Sequence, residues 1–176
     1  MVELTIKRLI RDVPDFPKAG ILFKDVTPLL ADPAAMEQVV DALAAPFRAV
    51  GGPVVDRVLG IESRGFIFGT PVAQRLGVGF APIRKPGKLP WRTVSESYAL
   101  EYGEDRIELH QDAVRAGERV LVIDDLLATG GTLSAACRLV ERLGGTVAGC
   151  AVVIELGFLE GKKRLGDRLL HSLITY

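Results

Sequence analysis

Short apolar runs alternate along the chain with longer segments in which apolar residues recur at helical spacing. The apolar runs predict buried strands at residues 57–61, 79–83, 119–123 and 146–154, with a further short run at 171–176. Residues 106–110 alternate between polar and apolar positions, which is typical of a half-buried strand. Helical spacing predicts helices at residues 4–10, 33–49, 65–76 and 131–143.

Local signals mark where these elements begin and end. Asp32 and Pro33 start the second helix, because aspartate caps a helix and proline is tolerated at its first position. Residues 25–28 are predicted as a turn, and residues 85–95, which contain proline and glycine without an apolar period, as a loop. Strands that alternate with helices indicate an α/β fold, a parallel sheet with helices on both faces.

Two polar segments interrupt this pattern, and both lie where a strand passes into a helix. Residues 62–65 follow the strand at 57–61, and residues 124–132 follow the strand at 119–123. In parallel α/β sheets, ligands bind at the carboxyl ends of strands. We therefore expect the binding site at these two junctions.

Composition narrows the function classes further. The 176 residues fit one domain, and Lys plus Arg number 22, as do Asp plus Glu, so no global field favours nucleic acid or a membrane surface. No run of 18 apolar residues predicts a membrane span, and the first residues lack the pattern of a secretion signal. Cys137 and Cys150 lack metal-site spacing and are expected to be buried thiols in a reducing compartment, so we expect a cytoplasmic protein.

The strongest chemical signal is the segment Val120-Leu-Val-Ile-Asp-Asp-Leu-Leu-Ala-Thr-Gly-Gly-Thr132. A buried strand delivers two carboxylates, and a loop rich in glycine and threonine opens the next helix. Glycines let several backbone N–H groups converge on one point, and a helix N-terminus favours negative charge. We therefore predict a phosphate monoester site. No Lys-Ser or Lys-Thr pair follows the glycines, so this is not the P-loop of nucleoside triphosphate-binding proteins.

The two carboxylates of this segment, Asp124 and Asp125, are suited to accept hydrogen bonds from sugar hydroxyls or to lie near a divalent cation. Adjacent strand residues point to opposite faces, so the two need not share one role. An acidic pair alone would more often be a solvated helix cap. The complete segment favours the functional interpretation.

The same segment resembles the phosphoribosyl pyrophosphate-binding motif of the type I phosphoribosyltransferases. Five further segments, in order over essentially the whole chain, resemble the adenine phosphoribosyltransferases of that family. They are Pro14-Asp-Phe-Pro17, Gly20-Ile-Leu-Phe-Lys-Asp25, Glu62-Ser-Arg-Gly-Phe66, Arg84-Lys-Pro-Gly-Lys-Leu-Pro90 and Ser97-Tyr-Ala-Leu-Glu-Tyr-Gly103. The resemblance implies a single domain of the type I phosphoribosyltransferase fold over residues 1–176, with a base-side segment at 1–30 and a mobile lid loop.

For phosphoribosyl pyrophosphate, the resemblance implies two anion sites. The ribose hydroxyls would contact Asp124 and Asp125, and the 5′-phosphate would be held by Ala128, Thr129, Gly130, Gly131 and Thr132. The pyrophosphate would bind Ser63, Arg64 and Gly65, with added charge from Arg84, Lys85 and Lys88. Arg64 would also be catalytic. Its alternative is a surface arginine, which the sequence disfavours because a cation in the first turn of a helix opposes the helix dipole unless an anion is present. Without the resemblance, the later cluster would more often be a solvated face.

For the base, the resemblance implies a site at Leu22, Phe23 and Lys24, with Phe23 stacking and backbone groups reading the exocyclic amine. Many relatives carry arginine where Lys24 stands. Residues of about 86–103 would form the lid, which excludes water from an oxocarbenium-like ribose. Glu101, in this lid, would manage the proton of the attacking purine, although its local pattern alone is that of an exposed strand glutamate.

The implied activity is transfer of ribose 5-phosphate from phosphoribosyl pyrophosphate to N9 of adenine, with no covalent nucleophile. Mg²⁺ is the implied cofactor, held mainly by the substrate with Asp124 and Asp125 nearby, and a homodimer is the implied assembly. Two alternatives stay open: a phosphoribosyltransferase for another base, and a regulator that binds phosphoribosyl pyrophosphate without catalysis. The neutral charge balance counts against a regulator that acts on nucleic acid.

Overall fold

The computed structural model of the protein describes residues 6–48, 50–99 and 104–176. The described residues form the strands β1 (Arg11–Pro14), β2 (Leu22–Asp25), β3 (Arg57–Ile61), β4 (Gly79–Ile83), β5 (Thr93–Ala99), β6 (Glu104–His110), β7 (Arg119–Leu127), β8 (Thr146–Glu155) and β9 (Leu170–Thr175). They also form the helices α1 (Thr27–Leu30), α2 (Pro33–Arg48), α3 (Arg64–Leu76) and α4 (Gly131–Arg142). Two 3₁₀ turns, Gly157–Leu159 and Gly161–Leu165, connect β8 to β9.

Five parallel strands form the central sheet in the order β4-β3-β7-β8-β9. From β3 the chain continues through α3 to β4 on one side, and from β7 it continues through α4 to β8 on the other. The strand order therefore reverses between β3 and β7, and such switch points are where open α/β sheets bind ligands. Gly60 pairs with Ile123, so the last residue of β3 lies beside Asp124, and β7 continues past it to Leu127.

The central strand β7 contributes to hydrophobic cores on both faces of the sheet. Leu121 and Ile123 pack in the cluster that contains residues of α2 and α3. Val120 and Val122 pack in the cluster that contains residues of α4, β5 and β6. This alternation is the period of two expected of a strand buried on both faces. The predicted α/β sheet with helices on both faces is confirmed.

Some predicted boundaries were wrong. The strand predicted at 119–123 continues through both aspartates to Leu127, because β7 keeps pairing with β8 as far as Glu155. The turn predicted at 25–28 is instead the last residue of β2, the N-cap Val26 and the first two residues of the four-residue helix α1. Asp25 accepts hydrogen bonds from the backbone N–H of Thr27 (2.9 Å) and from its hydroxyl (2.7 Å), which supports the first turn.

The predicted loop at 85–95 was wrong for its last three residues, which belong to β5. Two long-range interactions stabilise β5, although its sequence contains no apolar run. It pairs with β6 from Thr93, opposite His110, onward. It is also held by α4, since Arg138 donates to Glu96 at 2.6 Å and Arg142 to the Ser95 carbonyl at 3.0 Å. Part of the predicted lid is therefore a strand, and its lid role stays a prediction.

Of the helix predicted at 4–10, the described part shows residues 6–7 in a helix and 8–9 in a turn. Strand β1, which follows it and pairs with β2, was not predicted. Cys137 and Cys150 are buried as predicted, with their sulfur atoms 3.5 Å apart. Within residues 6–48, 50–99 and 104–176, no helix has the length and apolarity needed to cross a membrane.

Candidate active site

The carboxyl ends of β3 and β7 meet at a cavity with a volume of about 330 Å³. Its walls are residues 61–64, Lys85, Tyr98 and residues 124–133. The structure thus brings together residues of the two polar segments, 62–65 and 124–132, at which the sequence predicted the binding site. Three residues predicted for the pyrophosphate do not line the cavity: Gly65, Arg84 and Lys88.

Gly65 does not line the cavity, but it allows the first turn of α3 to pack against β7. A Cβ atom at Gly65 would lie 2.7 Å from the carbonyl oxygen of Ile123 and 3.2 Å from Oδ1 of Asp124. The first contact is closer than a side chain permits, so only glycine allows this approach. The N-terminus of α3 therefore lies directly beside the first aspartate. The peptide bond between Glu62 and Ser63, just before this helix, is cis.

The loop after β7 presents backbone donors that the described residues do not use. The N–H groups of residues 129–133 donate to no acceptor in the described part of the chain, whereas the N–H of Ser134 donates to the Gly130 carbonyl at 3.0 Å. Gly130 has φ +81°, the left-handed conformation that glycine adopts without penalty. N–H groups at a helix start that have no partner among the described residues, together with the helix dipole, are suited to bind an anion.

Arg64 connects the two halves of the cavity. Its Nε donates to Oδ2 of Asp125, whose side chain is only 5% exposed. Its guanidinium carbon also lies 5.5 Å from the centroid of the Phe23 ring, toward the predicted base site. Burial lowers the pKa of Arg64, but the charges of nearby aspartates, chiefly Asp125, outweigh it and raise the pKa. The side chain therefore remains a cation.

The two aspartates have different surroundings, as their opposite directions on the strand predicted. Asp124 is half-buried and lines the cavity. Desolvation of its carboxyl, followed by the charge of Asp125, raises its pKa well above the ordinary value. A hydrogen bond from the backbone N–H of Asp125 to Oδ1 of Asp124, at 2.9 Å, opposes the shift. Asp124 therefore takes up a proton at a higher pH than an exposed aspartate.

Two further cations predicted for the pyrophosphate also have carboxylate partners. Arg84 donates to Glu62 at 3.2 Å, and Glu62 accepts from the backbone N–H of Lys85 as well, at 2.9 Å. The ammonium of Lys85 pairs with Asp105 on β6 and lies 3.3 Å from the hydroxyl of Tyr98 on β5. Arg64, Arg84 and Lys85 are therefore each matched by a local acid.

The predicted base residues lie outside the walls of this cavity. Phe23 meets Phe16 edge to face, with ring centroids 5.1 Å apart. The ammonium of Lys24 is 2.6 Å from Asp12 and 3.9 Å from the ring centroid of Tyr176, and the residue is 7% exposed. Its side chain is thus fully engaged, which leaves only its main chain for a base.

Glu101, the predicted proton-handling residue, lies outside the described residues, and its role stays a prediction. Sequence reasoning assigned no role to Phe16 and Tyr98, although both stood within the segments that carried the family resemblance. It missed Asp105 because its partner Lys85 is 20 residues away along the chain and no local pattern marks the pair.

Comparison with known proteins identifies the family of the chain. A profile of the phosphoribosyl transferase domain matches residues 27–170. The chain belongs to the phosphoribosyltransferase family, a class of transferase enzymes.

Individual relatives show which phosphoribosyltransferases the chain resembles. An adenine phosphoribosyltransferase of Nocardioides sp. is 62% identical over 168 residues, which cover 95% of this chain and 91% of the relative. The crystal structure of the adenine phosphoribosyltransferase of Thermoanaerobacter pseudethanolicus matches with a TM-score of 0.95 and 50% identity over 99% of both chains. The enzyme of Saccharomyces cerevisiae, complexed with an imino-altritol bisphosphate and adenine, matches with a TM-score of 0.91 and 38% identity over 98% of both chains. Within the family, the chain groups with the adenine phosphoribosyltransferases.

Proposed function

We propose that this chain transfers ribose 5-phosphate from phosphoribosyl pyrophosphate to N9 of adenine, giving AMP and pyrophosphate. The observation that carries the proposal is the cavity between β3 and β7, which is lined by Arg64, by two aspartates and by a loop whose N–H donors have no partner among the described residues. A sugar with a phosphate at one end and a pyrophosphate at the other needs two anion sites and acceptors for its hydroxyls, and these residues are of the types that would supply them. The relatives, all named adenine phosphoribosyltransferases, support adenine as the base.

The 5′-phosphate would bind at the start of α4. The N–H groups after Ala128 would donate to its oxygens, with Thr129 and Thr132 adding hydroxyl donors. Asp124 and Asp125 would accept hydrogen bonds from the ribose hydroxyls at the end of β7. Because Asp124 has a raised pKa, its acceptor role would strengthen as the pH rises and its proton is lost.

The pyrophosphate would bind at the start of α3, to Ser63, Arg64 and the backbone of Gly65. Arg84, Lys85 and Lys88 would supply further positive charge. Leaving-group charge grows as the bond to the ribose breaks, so cations fixed near the pyrophosphate stabilise the transition state more than the ground state. Catalysis would therefore come mainly from positioning and charge stabilisation.

The base would lie against Phe23, whose ring orientation is supported by Phe16. Main-chain groups of Leu22, Phe23 and Lys24 would read the exocyclic amine. Glu101 would manage the purine proton, and the lid at about 86–103 would exclude water.

The acidic residues of the cavity are suited to a Mg²⁺ ion that the substrate would hold for the most part. Within the described residues, no group of three or more His, Cys, Asp or Glu side chains is suited to hold a metal. Mg²⁺ is commonly bound through one or two carboxylates plus substrate phosphates and waters, so Asp124 and Asp125 fit as its neighbours, with the substrate supplying most ligands. When bound, Mg²⁺ would neutralise charge on the pyrophosphate.

We propose a homodimer in the cytoplasm that binds neither nucleic acid nor membrane. The balanced charge supports the absence of nucleic-acid and membrane partners. Light scattering should give twice the 19.0 kDa mass of the chain, and a monomeric mass would contradict the dimer.

The test is pyrophosphate release in the presence of Mg²⁺ and phosphoribosyl pyrophosphate, with adenine, hypoxanthine, guanine, xanthine or orotate supplied in turn. Release with adenine alone supports the proposal. Release with another base would keep the phosphate site and discard the base assignment. No release with any base, despite binding of phosphoribosyl pyrophosphate, would favour a non-catalytic regulator.

A further inference from the structure

We infer that Gly161 is a positioning residue for the 5′-phosphate loop, an inference that rests on the proposed function. Gly161 begins the second 3₁₀ turn between β8 and β9 and is buried. A Cβ atom there would lie 2.1 Å from the carbonyl oxygen of Ala128, 2.9 Å from the nitrogen of Gly130 and 3.0 Å from the carbonyl carbon of Thr129. The backbone at 161 is therefore in direct contact with the backbone of the loop.

The contact is reciprocal. A Cβ atom at Gly130 would lie 2.2 Å from the carbonyl oxygen of Gly161 and 3.2 Å from its Cα. Two glycines face each other at a distance that neither could keep with a side chain. All six nearest neighbours of these two absent Cβ atoms are backbone atoms, which cannot swing away as the end of a flexible side chain could.

The segment that carries Gly161, residues 157–165, is named here the buttress, and it is anchored apart from the loop. The N–H of Gly157 donates to the carbonyl of Tyr176 at 2.9 Å. Leu165 at its other end is fully buried in the cluster that contains α4 residues. Just beyond, Arg168 donates to Glu141 on α4 at 2.6 Å. The buttress therefore has a fixed position against which the loop rests.

The loop has the cavity on one side and the buttress on the other. Ala128, Thr129 and Gly130 line the cavity, and Gly161 does not. A side chain at 161 would push the loop toward the cavity by about 1 Å, and misplacement of this size at a binding site can change rates by about 100-fold. The backbone of Gly161 thus sets where the N–H donors of the 5′-phosphate site lie.

The matched pair of variants is Gly161→Ala and Gly157→Ala, in the two neighbouring 3₁₀ turns. A Cβ atom at Gly157 would meet only Thr175 Cγ2 at 3.1 Å and the Tyr176 carbonyl oxygen at 3.3 Å, away from the loop. The probes are ribose 5-phosphate, which needs the loop, and inorganic pyrophosphate, which binds at the start of α3. Both are titrated calorimetrically, with thermal unfolding of each variant recorded in parallel.

We expect Gly161→Ala to weaken ribose 5-phosphate binding by about 10- to 100-fold, with pyrophosphate binding changed less than about twofold and Gly157→Ala unchanged for both ligands. A purely structural role would weaken both ligands together with stability. Equal binding of ribose 5-phosphate by Gly161→Ala and the wild type would overturn the inference. If the wild type bound ribose 5-phosphate but released no pyrophosphate with adenine, only the proposed function would fail.

Hydrogen exchange of the wild type tests the same coupling if Gly161→Ala does not fold. Ribose 5-phosphate should slow exchange of the amides at 129–133 and also those of the buttress, whereas pyrophosphate should not slow the buttress amides. Slowed loop amides with unchanged buttress amides would contradict the inference.

Discussion

Arg64 at the start of α3 forms an ion pair with Asp125 at the end of β7. The Asp125 side chain is 5% exposed and the Arg64 side chain 43% exposed. The charge of Asp125 is therefore the one that water compensates least and that the ion pair stabilises most. Removing one member of such a pair leaves the other charge buried without compensation. The pair thus ties the proposed pyrophosphate segment to the proposed ribose segment.

Replacing Arg64 by alanine should reduce kcat/KM by about 100-fold or more, because the departing pyrophosphate loses a fixed cation. Steady-state pyrophosphate release measures the effect, and circular dichroism checks that the fold is intact. Arg75→Ala is the matched control. Arg75 lies in the last turn of the same helix, pairs with Asp41 and should leave kcat/KM unchanged. Turnover retained in Arg64→Ala would remove Arg64 from the mechanism.

The raised pKa of Asp124 should appear in the pH dependence of stability. A carboxyl whose folded pKa lies above its unfolded value stabilises the fold below the unfolded value, and this contribution is lost as the pH rises through the folded pKa. Asp124→Asn removes the titration. Its free energy of unfolding, measured by urea denaturation, should therefore fall less than that of the wild type as the pH rises above 3.8.

Asp125→Asn provides the control for this assignment. Loss of the neighbouring negative charge should lower the pKa of Asp124, because that charge is its second-largest cause after burial. A ¹³C NMR titration of the aspartate carboxyls should show the Asp124 midpoint moving to lower pH. An unchanged midpoint would mean that the two carboxylates do not interact.

Phe23→Ala should raise the KM for adenine by about 5- to 150-fold, since stacking of a base on an aromatic ring contributes about 1–3 kcal/mol. The KM for phosphoribosyl pyrophosphate should change little, because Phe23 does not line the cavity between β3 and β7. Phe16→Ala, which removes only the edge contact to Phe23, should give a smaller change in the same direction. Equal effects on both KM values would argue against a base site at Phe23.

The α/β architecture and the place of the site could be predicted because their signals are local. Apolar runs mark β3 and β7, and polar residues follow each run directly after Ile61 and Ile123. The strand β5 could not be predicted in the same way. Its Thr93–Ser97 portion has little apolar character, and it is stabilised by pairing with β6 and by arginines of α4, which lie more than 40 positions further along the chain.

Within the site, too, features with local signals could be predicted and features that depend on long-range contacts could not. The Thr-Gly-Gly-Thr segment indicated the 5′-phosphate loop by itself, because glycine spacing and a helix start are read along the chain. The carboxylate partners of Arg64 and Lys85 could not be read this way. Asp125 is 61 residues from Arg64, and Asp105 is 20 residues from Lys85. These ion pairs depend on sheet order and on the β5–β6 hairpin.

The ion pair between Lys85 and Asp105 leads to a prediction about the KM for phosphoribosyl pyrophosphate. If Lys85 binds the pyrophosphate, Asp105 competes with the substrate for its ammonium. Asp105→Asn should then lower the KM for phosphoribosyl pyrophosphate by about two- to fivefold, the range expected for a partly exposed ion pair. Lys85→Ala should raise this KM, and Asp105→Asn should have no further effect in the Lys85→Ala background.

This double-mutant cycle separates competition from a purely structural contact. Tyr98→Phe serves as the control, because it removes the hydroxyl that donates to Asp105 at 2.8 Å but keeps both charges. Its effect on the KM should be smaller than that of Asp105→Asn. If Asp105→Asn changed the KM equally in the presence and absence of Lys85, the carboxylate would act on the substrate directly rather than through the lysine. If it changed the KM in neither background, Asp105 would not compete for the ammonium of Lys85, and an unchanged KM in Lys85→Ala would remove Lys85 from the pyrophosphate site.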